Sequence, residues 1–432
     1  MNKQKTEYKE FVKNASLFFA LVIAFWIPSY RWVLSYFIVG WLIFAFSEFN
    51  FRQRFQQNLT NRFEISVFIL QISFFLIILS EVFFSDSKML IFKNIGQKMS
   101  LLIFPLLFAL SGYNFKTKKY LFLKLFVVSN IIMSLVCLGV ALYNSLSFFD
   151  GKIIFEPYYL RYRNYFTQSD LSVFHHRGYF SMYIVFSIAV LFFLKEKTDF
   201  FTSVIKRILF PVILTFFSVM VFLLNSRAGI LSLLILFSWQ IILKAYISKN
   251  ILYKIFMAGF IIFMLFFVLK NDRIQLTVKK IVASEKNETE LAGKNSLARL
   301  VLWAAAVDII KENFFTGIGF ENFYDGYMKK YKEYHNKKLS ASGDFRYNVH
   351  NQFLEDFVLY GIFGFLLSLS LFIYPLIISF KRKNYLFSAF LMITGFNFLF
   401  ESMLNTIAGV VFFSFFYNYF IFVFSDKQIK DF

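Results

Sequence analysis

The chain has 432 residues, 58% of them hydrophobic and 22% aromatic, with 67 phenylalanines and 17% charged residues. A soluble domain carries about a quarter charged residues, so this composition excludes an ordinary soluble fold and points to a polytopic membrane protein. The 46 Lys+Arg outnumber the 26 Asp+Glu, but they fall in short clusters between apolar runs, the pattern of cytoplasmic loops and not of a nucleic-acid surface; the single cysteine, Cys137, lies inside an apolar run and rules out a disulfide framework or a Cys/His metal cluster.

Lys3, Lys5, Lys9 and Lys13 precede the first apolar run, and no small-residue cleavage site closes it, so the run is expected to be a retained first helix. With about 20 apolar residues needed per span, about twelve transmembrane helices are expected. They lie near 15–29, 32–49, 65–84, 99–113, 121–143, 178–194, 208–225, 229–248, 251–269, 353–380, 385–404 and 408–425. Arg52, Arg54 and Arg62, Lys116, Lys118 and Lys119, Lys195 and Lys197, Lys206 and Arg207, Lys244 and Lys249, and Lys381, Arg382 and Lys383 then share one side. That bias puts both termini in the cytoplasm. The basic connection with Lys88, Lys93 and Lys98, assigned to the other side, is the exception.

Three regions follow: residues 1–269 with nine spans and an external segment at 145–177, a large periplasmic loop at 270–350 between helices 9 and 10, and 351–432 with three spans and a cytoplasmic C-terminus. The segment from Ser145 to Arg177 holds Tyr158, Tyr159, Tyr162 and Tyr165 with Arg161 and Arg163. Such a mixture suits an interfacial anchor or a platform on which sugars stack. In the large loop, Ser296 to Asn313 is expected to be an amphipathic helix capped by Ser296. Leu300, Trp303, Val307 and Ile310 share one face, Arg299 lies one turn from Trp303, and Gly317 comes past the end.

Arg227 stands in Asn225-Ser226-Arg227-Ala228-Gly229 between two apolar spans. A guanidinium there either meets an anion or snorkels to the interface. His350 ends the polar loop where an apolar segment begins, and an imidazole can take a proton from an attacking hydroxyl or serve as a hydrogen-bonded structural group. His175-His176-Arg177 opens another span on the same side, suited to phosphate or to anchoring. Glu401 is isolated in Phe398-Leu399-Phe400-Glu401-Ser402, where it should pair with a cation or pack protonated. The nearest carboxylate pair is Glu288-Thr289-Glu290 in the polar loop, which disfavours a metal-dependent sugar transferase. A carrier or flippase would need polar residues along both halves, and the first five spans hold few beyond Glu81 and Lys124.

From Ser145 to Glu401 the chain resembles the O-antigen ligase superfamily, which includes lipopolysaccharide O-antigen ligases, Wzy-type polysaccharide polymerases and some protein O-oligosaccharyltransferases. Four pieces carry the resemblance in order. They are Ser226-Arg227 opening a helix; Arg299 with Trp303, followed by Thr316-Gly317-Ile318-Gly319-Phe320-Glu321-Asn322-Phe323; His350-Asn351 with Gly361; and Glu401-Ser402. It implies an all-α, GT-C-like membrane glycosyltransferase in the bacterial inner membrane. Such an enzyme transfers a glycan from undecaprenyl diphosphate to an acceptor hydroxyl on the periplasmic face, inverting the anomeric centre without a metal or other cofactor.

The acceptor would be lipid A-core for a ligase in lipopolysaccharide biosynthesis, or a second lipid-linked glycan for a polymerase. A protein O-oligosaccharyltransferase and a lipid-linked glycan exporter are the remaining alternatives. Carried onto this chain, Arg227 and Arg299 would clamp the diphosphate and His350 would activate the acceptor. His175, His176, Arg177, Trp303, Asn322, Asn351 and Glu401 would contact substrate.

Overall fold

The computed structural model describes residues 2–29, 31–47, 50–160, 163–197, 203–247, 255, 259, 298–334 and 348–424. The expected span at 251–269 (apart from 255 and 259), the loop stretches 270–297 and 335–347, Ser296, Glu288, Glu290, Lys249, Arg161 and Tyr162 lie outside the described residues. Helices run in the order α1 (Asn2–Trp26), α2 (Arg31–Ser47), α3 (Phe51–Asn58), α4 (Arg62–Phe84), α5 (Lys88–Lys98), α6 (Ser100–Leu110), α7 (Lys119–Asn144), α8 (Gln168–Leu171), α9 (Arg177–Lys197), α10 (Ser203–Leu224), α11 (Arg227–Ile247), α12 (Ala298–Glu312), α13 (Gly319–Tyr334), α14 (Gln352–Lys381), α15 (Tyr385–Phe398) and α16 (Ile407–Asn418).

Every other expected span overlaps a helix. Among the described residues, four are long and apolar enough to cross a membrane alone, or up to six if two bent pairs each count as one. One bent pair, α5 with α6, turns by 45°. The expected span at 385–404 ends early: α15 stops at Phe398, and the chain turns through residues 399–406 before α16.

Helix α16 is apolar all round and buried from Ala408 to Asn418, as expected of a central helix. Phe412 and Phe416 pack with Phe126 of α7, Phe186 of α9 and Phe390 of α15. Its one strongly polar residue, Asn418, exchanges hydrogen bonds of 2.9 and 3.1 Å with Gln71 of α4, so these two buried amides satisfy each other.

Two features differ from what the sequence leads one to expect. Two antiparallel strand pairs follow α7, β1 (Leu146–Phe149) with β2 (Lys152–Phe155) and β3 (Tyr158–Leu160) with β4 (Arg163–Asn164). Asp150 and Gly151 adopt positive φ at the first turn, the residue types such a turn favours. In α12 the buried face is Leu302, Ala305, Ala306 and Ile309, while Val307 is exposed. The small alanines Ala305 and Ala306, which a count of large apolar side chains overlooks, are fully buried.

Candidate active site

Helix α14 is broken at Gly361, whose φ of 64° and ψ of −162° belong to a region only glycine occupies readily. The break receives the chain that follows α12. The Ile318 N–H donates to the Val358 carbonyl and the Ile362 N–H to the Phe314 carbonyl, each at 2.9 Å. A β-carbon on Gly361 would strike the Phe315 carbonyl, and one on Gly317 the Leu359 carbonyl. Next along, the Phe320 N–H donates to Glu81 at 2.8 Å, and Glu321 accepts from the Ser85 hydroxyl and the Asp86 and Ser87 N–H groups ahead of α5. The Gly317-to-Glu321 stretch therefore docks the loop helices onto the bundle.

That docking brings α12 beside the turn after α15. Arg299 Nη2 donates to Glu401 Oε1 at 2.8 Å, and His350 Nδ1 lies 2.9 Å from Glu401 Oε2. The carboxylate thus bridges a guanidinium and an imidazole. Its side chain is 16% exposed, against 29% for Arg299 and 31% for His350, so the two bases remain reachable from outside. His350 has φ 52°, a left-handed conformation that costs a non-glycine residue about 1–2 kcal/mol. It is held there by Trp303 Nε1, which donates to the neighbouring Val349 carbonyl at 3.1 Å, and by Glu355, which accepts the Val349 N–H at 3.2 Å.

Glu355 also accepts from Ser402 and Asn405. It ties the start of α14 to the turn bearing Glu401, a positioning role invisible in the sequence beyond the oddity of an acid in an apolar run. Burial raises the Glu401 carboxyl, but the hydrogen bond and charge of His350, with Arg299 and His176, outweigh it and leave it below its ordinary value.

His176 lies at the rim of the same cluster. Desolvation lowers its imidazole below the ordinary value; Glu401 opposes this, and Arg177, His350 and Arg299 reinforce it. The other expected residues are placed differently. His175 Nε2 is 3.2 Å from the carbonyl of Ile27, just past α1, and its ring meets Tyr183 edge-on. Arg177 donates to Gln168 at 3.0 Å. Asn351 caps α14 by accepting the Leu354 N–H. Asn322 borders a separate cavity of about 570 Å³ with Glu81 and Tyr360.

Arg227 is the first residue of α11, after Asn225 in a left-handed turn and Ser226, whose hydroxyl accepts the Gly229 N–H at 3.3 Å. A β-carbon on Gly229 would collide with Ser181 of α9, and Asn397 of α15 donates to Ser232 at 2.8 Å. Helix α11 therefore starts level with the start of α9 and the end of α15, the same end of the bundle as Glu401. Among the described residues no three His, Cys, Asp or Glu side chains are grouped as metal ligands.

Membrane-length apolar helices with cations, a carboxylate and an imidazole gathered at one end define a multi-pass membrane protein with a polar site at its surface. The O-antigen ligase family model (Wzy_C) matches residues 211–369, which supports a relation of this stretch to the O-antigen ligase superfamily. The match includes Arg227, Arg299, Trp303, Asn322, His350 and Asn351; His175, His176, Arg177 and Glu401 lie outside it. No curated protein matches the chain.

Proposed function

We propose that the chain is a bacterial inner-membrane O-antigen ligase, which transfers a glycan from undecaprenyl diphosphate to a hydroxyl of lipid A-core at the periplasmic face. The observation that carries this reading is the Arg299–Glu401–His350 bridge at the end of the bundle where α11 presents Arg227. Glu401 accepts the Nδ1 proton of His350, which fixes the tautomer and leaves the lone pair on Nε2. That nitrogen takes the proton of the acceptor hydroxyl as its oxygen attacks the anomeric carbon. The new C–O bond forms as the bond to the diphosphate breaks, and attack opposite the leaving group inverts the centre.

Charge accumulates on the departing diphosphate. Arg227 and the remaining N–H groups of Arg299 stabilise it with paired hydrogen bonds, so fixed guanidinium groups do what a metal would otherwise do. His176, whose burial disfavours its charged form, adds a hydrogen-bonding group at the rim.

The test uses purified protein with a defined undecaprenyl-diphosphate-linked glycan, supplied with lipid A-core or with a second lipid-linked glycan, in the presence of a chelator. Wild type should glycosylate lipid A-core. His350→Asn, which suits the left-handed backbone but lacks the base, should be slower by about 10²-fold or more. Product with the second lipid-linked glycan alone would make the protein a polymerase, and full transfer by His350→Asn would overturn the mechanism.

A further inference from the structure

The ends of α9 and α14 away from Glu401, Phe420 and Phe424 just past α16, and the starts of α7 and α15 surround a cavity of about 540 Å³. Lys119 comes from the start of α7, Lys197 from the end of α9, and Arg382 and Lys383 from the turn between α14 and α15; among the described residues Glu196 is the one carboxylate in the lining. The sequence assigns these cations to three different short loops, all on one side of the membrane. The fold gathers them around one space.

Two of them are held in place by aromatic faces. Lys119 Nζ lies 5.2 Å from the Tyr120 ring and 5.3 Å from that of Phe424, and the Arg382 guanidinium lies 4.8 Å from the Phe63 ring. Lys383 sits at φ 55°, an unfavourable backbone for a lysine. Asn384 caps α15 at the cavity by accepting the Phe387 N–H, so the partial positive ends of α7 and α15 add to the side-chain charge. Against this polar rim the cavity has an apolar floor of Phe192, Phe193 and Phe424.

From this geometry we propose that the cavity binds the phosphate of an anionic phospholipid headgroup, with the glycerol and first acyl carbons on the aromatic floor. Among the described residues four cations and two helix N-termini face one carboxylate, so a phosphate supplies the missing charge, and the floor favours a lipid over a soluble anion. Basic pockets between membrane helices bind headgroups in this way. The assignment rests on the membrane-spanning reading alone and is independent of the transfer chemistry.

The experiment places the full-length protein in phosphatidylcholine nanodiscs with or without phosphatidylglycerol, and measures the unfolding temperature and the lipid retained in native mass spectrometry. Phosphatidylglycerol should raise the wild-type unfolding temperature and be retained. In Lys197→Gln/Lys383→Gln, both residues being exposed, the rise should fall by at least half, with unchanged stability in phosphatidylcholine. Lys197→Arg/Lys383→Arg should restore it. An equal rise in wild type and the glutamine variant, or none in either, would overturn the proposal. An equal rise from inorganic phosphate added to phosphatidylcholine discs would overturn the lipid assignment.

Discussion

Glu401 holds Arg299 and His350 at once, so replacing it disturbs the proposed base and the proposed phosphate clamp together. Glu401→Gln keeps the shape but loses the charge that orients both partners. Transfer should fall by about 10²-fold, within the range for losing a positioned proton acceptor, while Glu401→Asp recovers part of it. Because the Glu401 carboxyl is depressed below its ordinary value of 4.5, its contribution to stability is complete above that value and is lost as pH falls through the lower folded value. Protease resistance of the wild-type protein should therefore weaken in that acid range, and the Gln variant should lack that limb. Arg299→Lys keeps charge but loses the fork that serves Glu401 and an anion together; equal product formation by the two proteins would remove Arg299 from the clamp. Charged and titratable residues beside apolar runs were legible in the sequence because their burial is costly and must be answered. Which partner answered was not: His175 is answered by a backbone carbonyl just past α1 and Arg177 by Gln168, while Glu401 is answered by Arg299 and His350.

At the scale of elements, the spacing between His350-Asn351 and Gly361 acquires a physical reason. Asn351 caps the short first part of α14, and Gly361 ends it by accepting the segment from Phe314 to Ile318 against its backbone. Gly361→Ala should cost about 1–3 kcal/mol from backbone strain alone, before the clash with Phe315 is counted, and should undock α12 and Arg299 with it. The readouts are a lower unfolding temperature and faster proteolysis between α12 and α14. Gly139→Ala in α7, where an added β-carbon meets nothing within 4 Å, should instead be neutral or stabilising by about 0.5–1 kcal/mol. Helix positions were readable from apolar runs, whereas this docking was not, because it is made by backbone groups and by the absence of side chains. The basic connection before α6 is explained at the same scale. Lys98 is buried with its ammonium 2.9 Å from the Tyr360 hydroxyl, and Lys88 donates to the carbonyls of Val82 and Ser85 at the end of α4. These lysines serve the fold, so they do not report which side of the membrane they face.

For the molecule as a whole, the two charge-bearing ends make opposite demands on the membrane. The Glu401 end carries the two strand pairs that follow α7, whose Phe148, Phe149, Ile153 and Phe155 are exposed and suited to the headgroup region. The opposite end carries Lys119, Lys197, Arg382 and Lys383, the charge that favours the cytoplasm. This arrangement predicts an orientation that cysteine labelling can read, because the native Cys137 is fully buried and a buried thiol reacts slowly. Reporter cysteines at Asp150 and Lys383, both exposed, should behave oppositely in cells whose outer membrane alone is permeable to a charged maleimide. Asp150→Cys should label in intact cells, whereas Lys383→Cys should label only after the inner membrane is opened. Labelling of Lys383→Cys in intact cells would invert the molecule, moving His350 and Glu401 to the cytoplasm, where an acceptor displayed on the periplasmic face could not reach them.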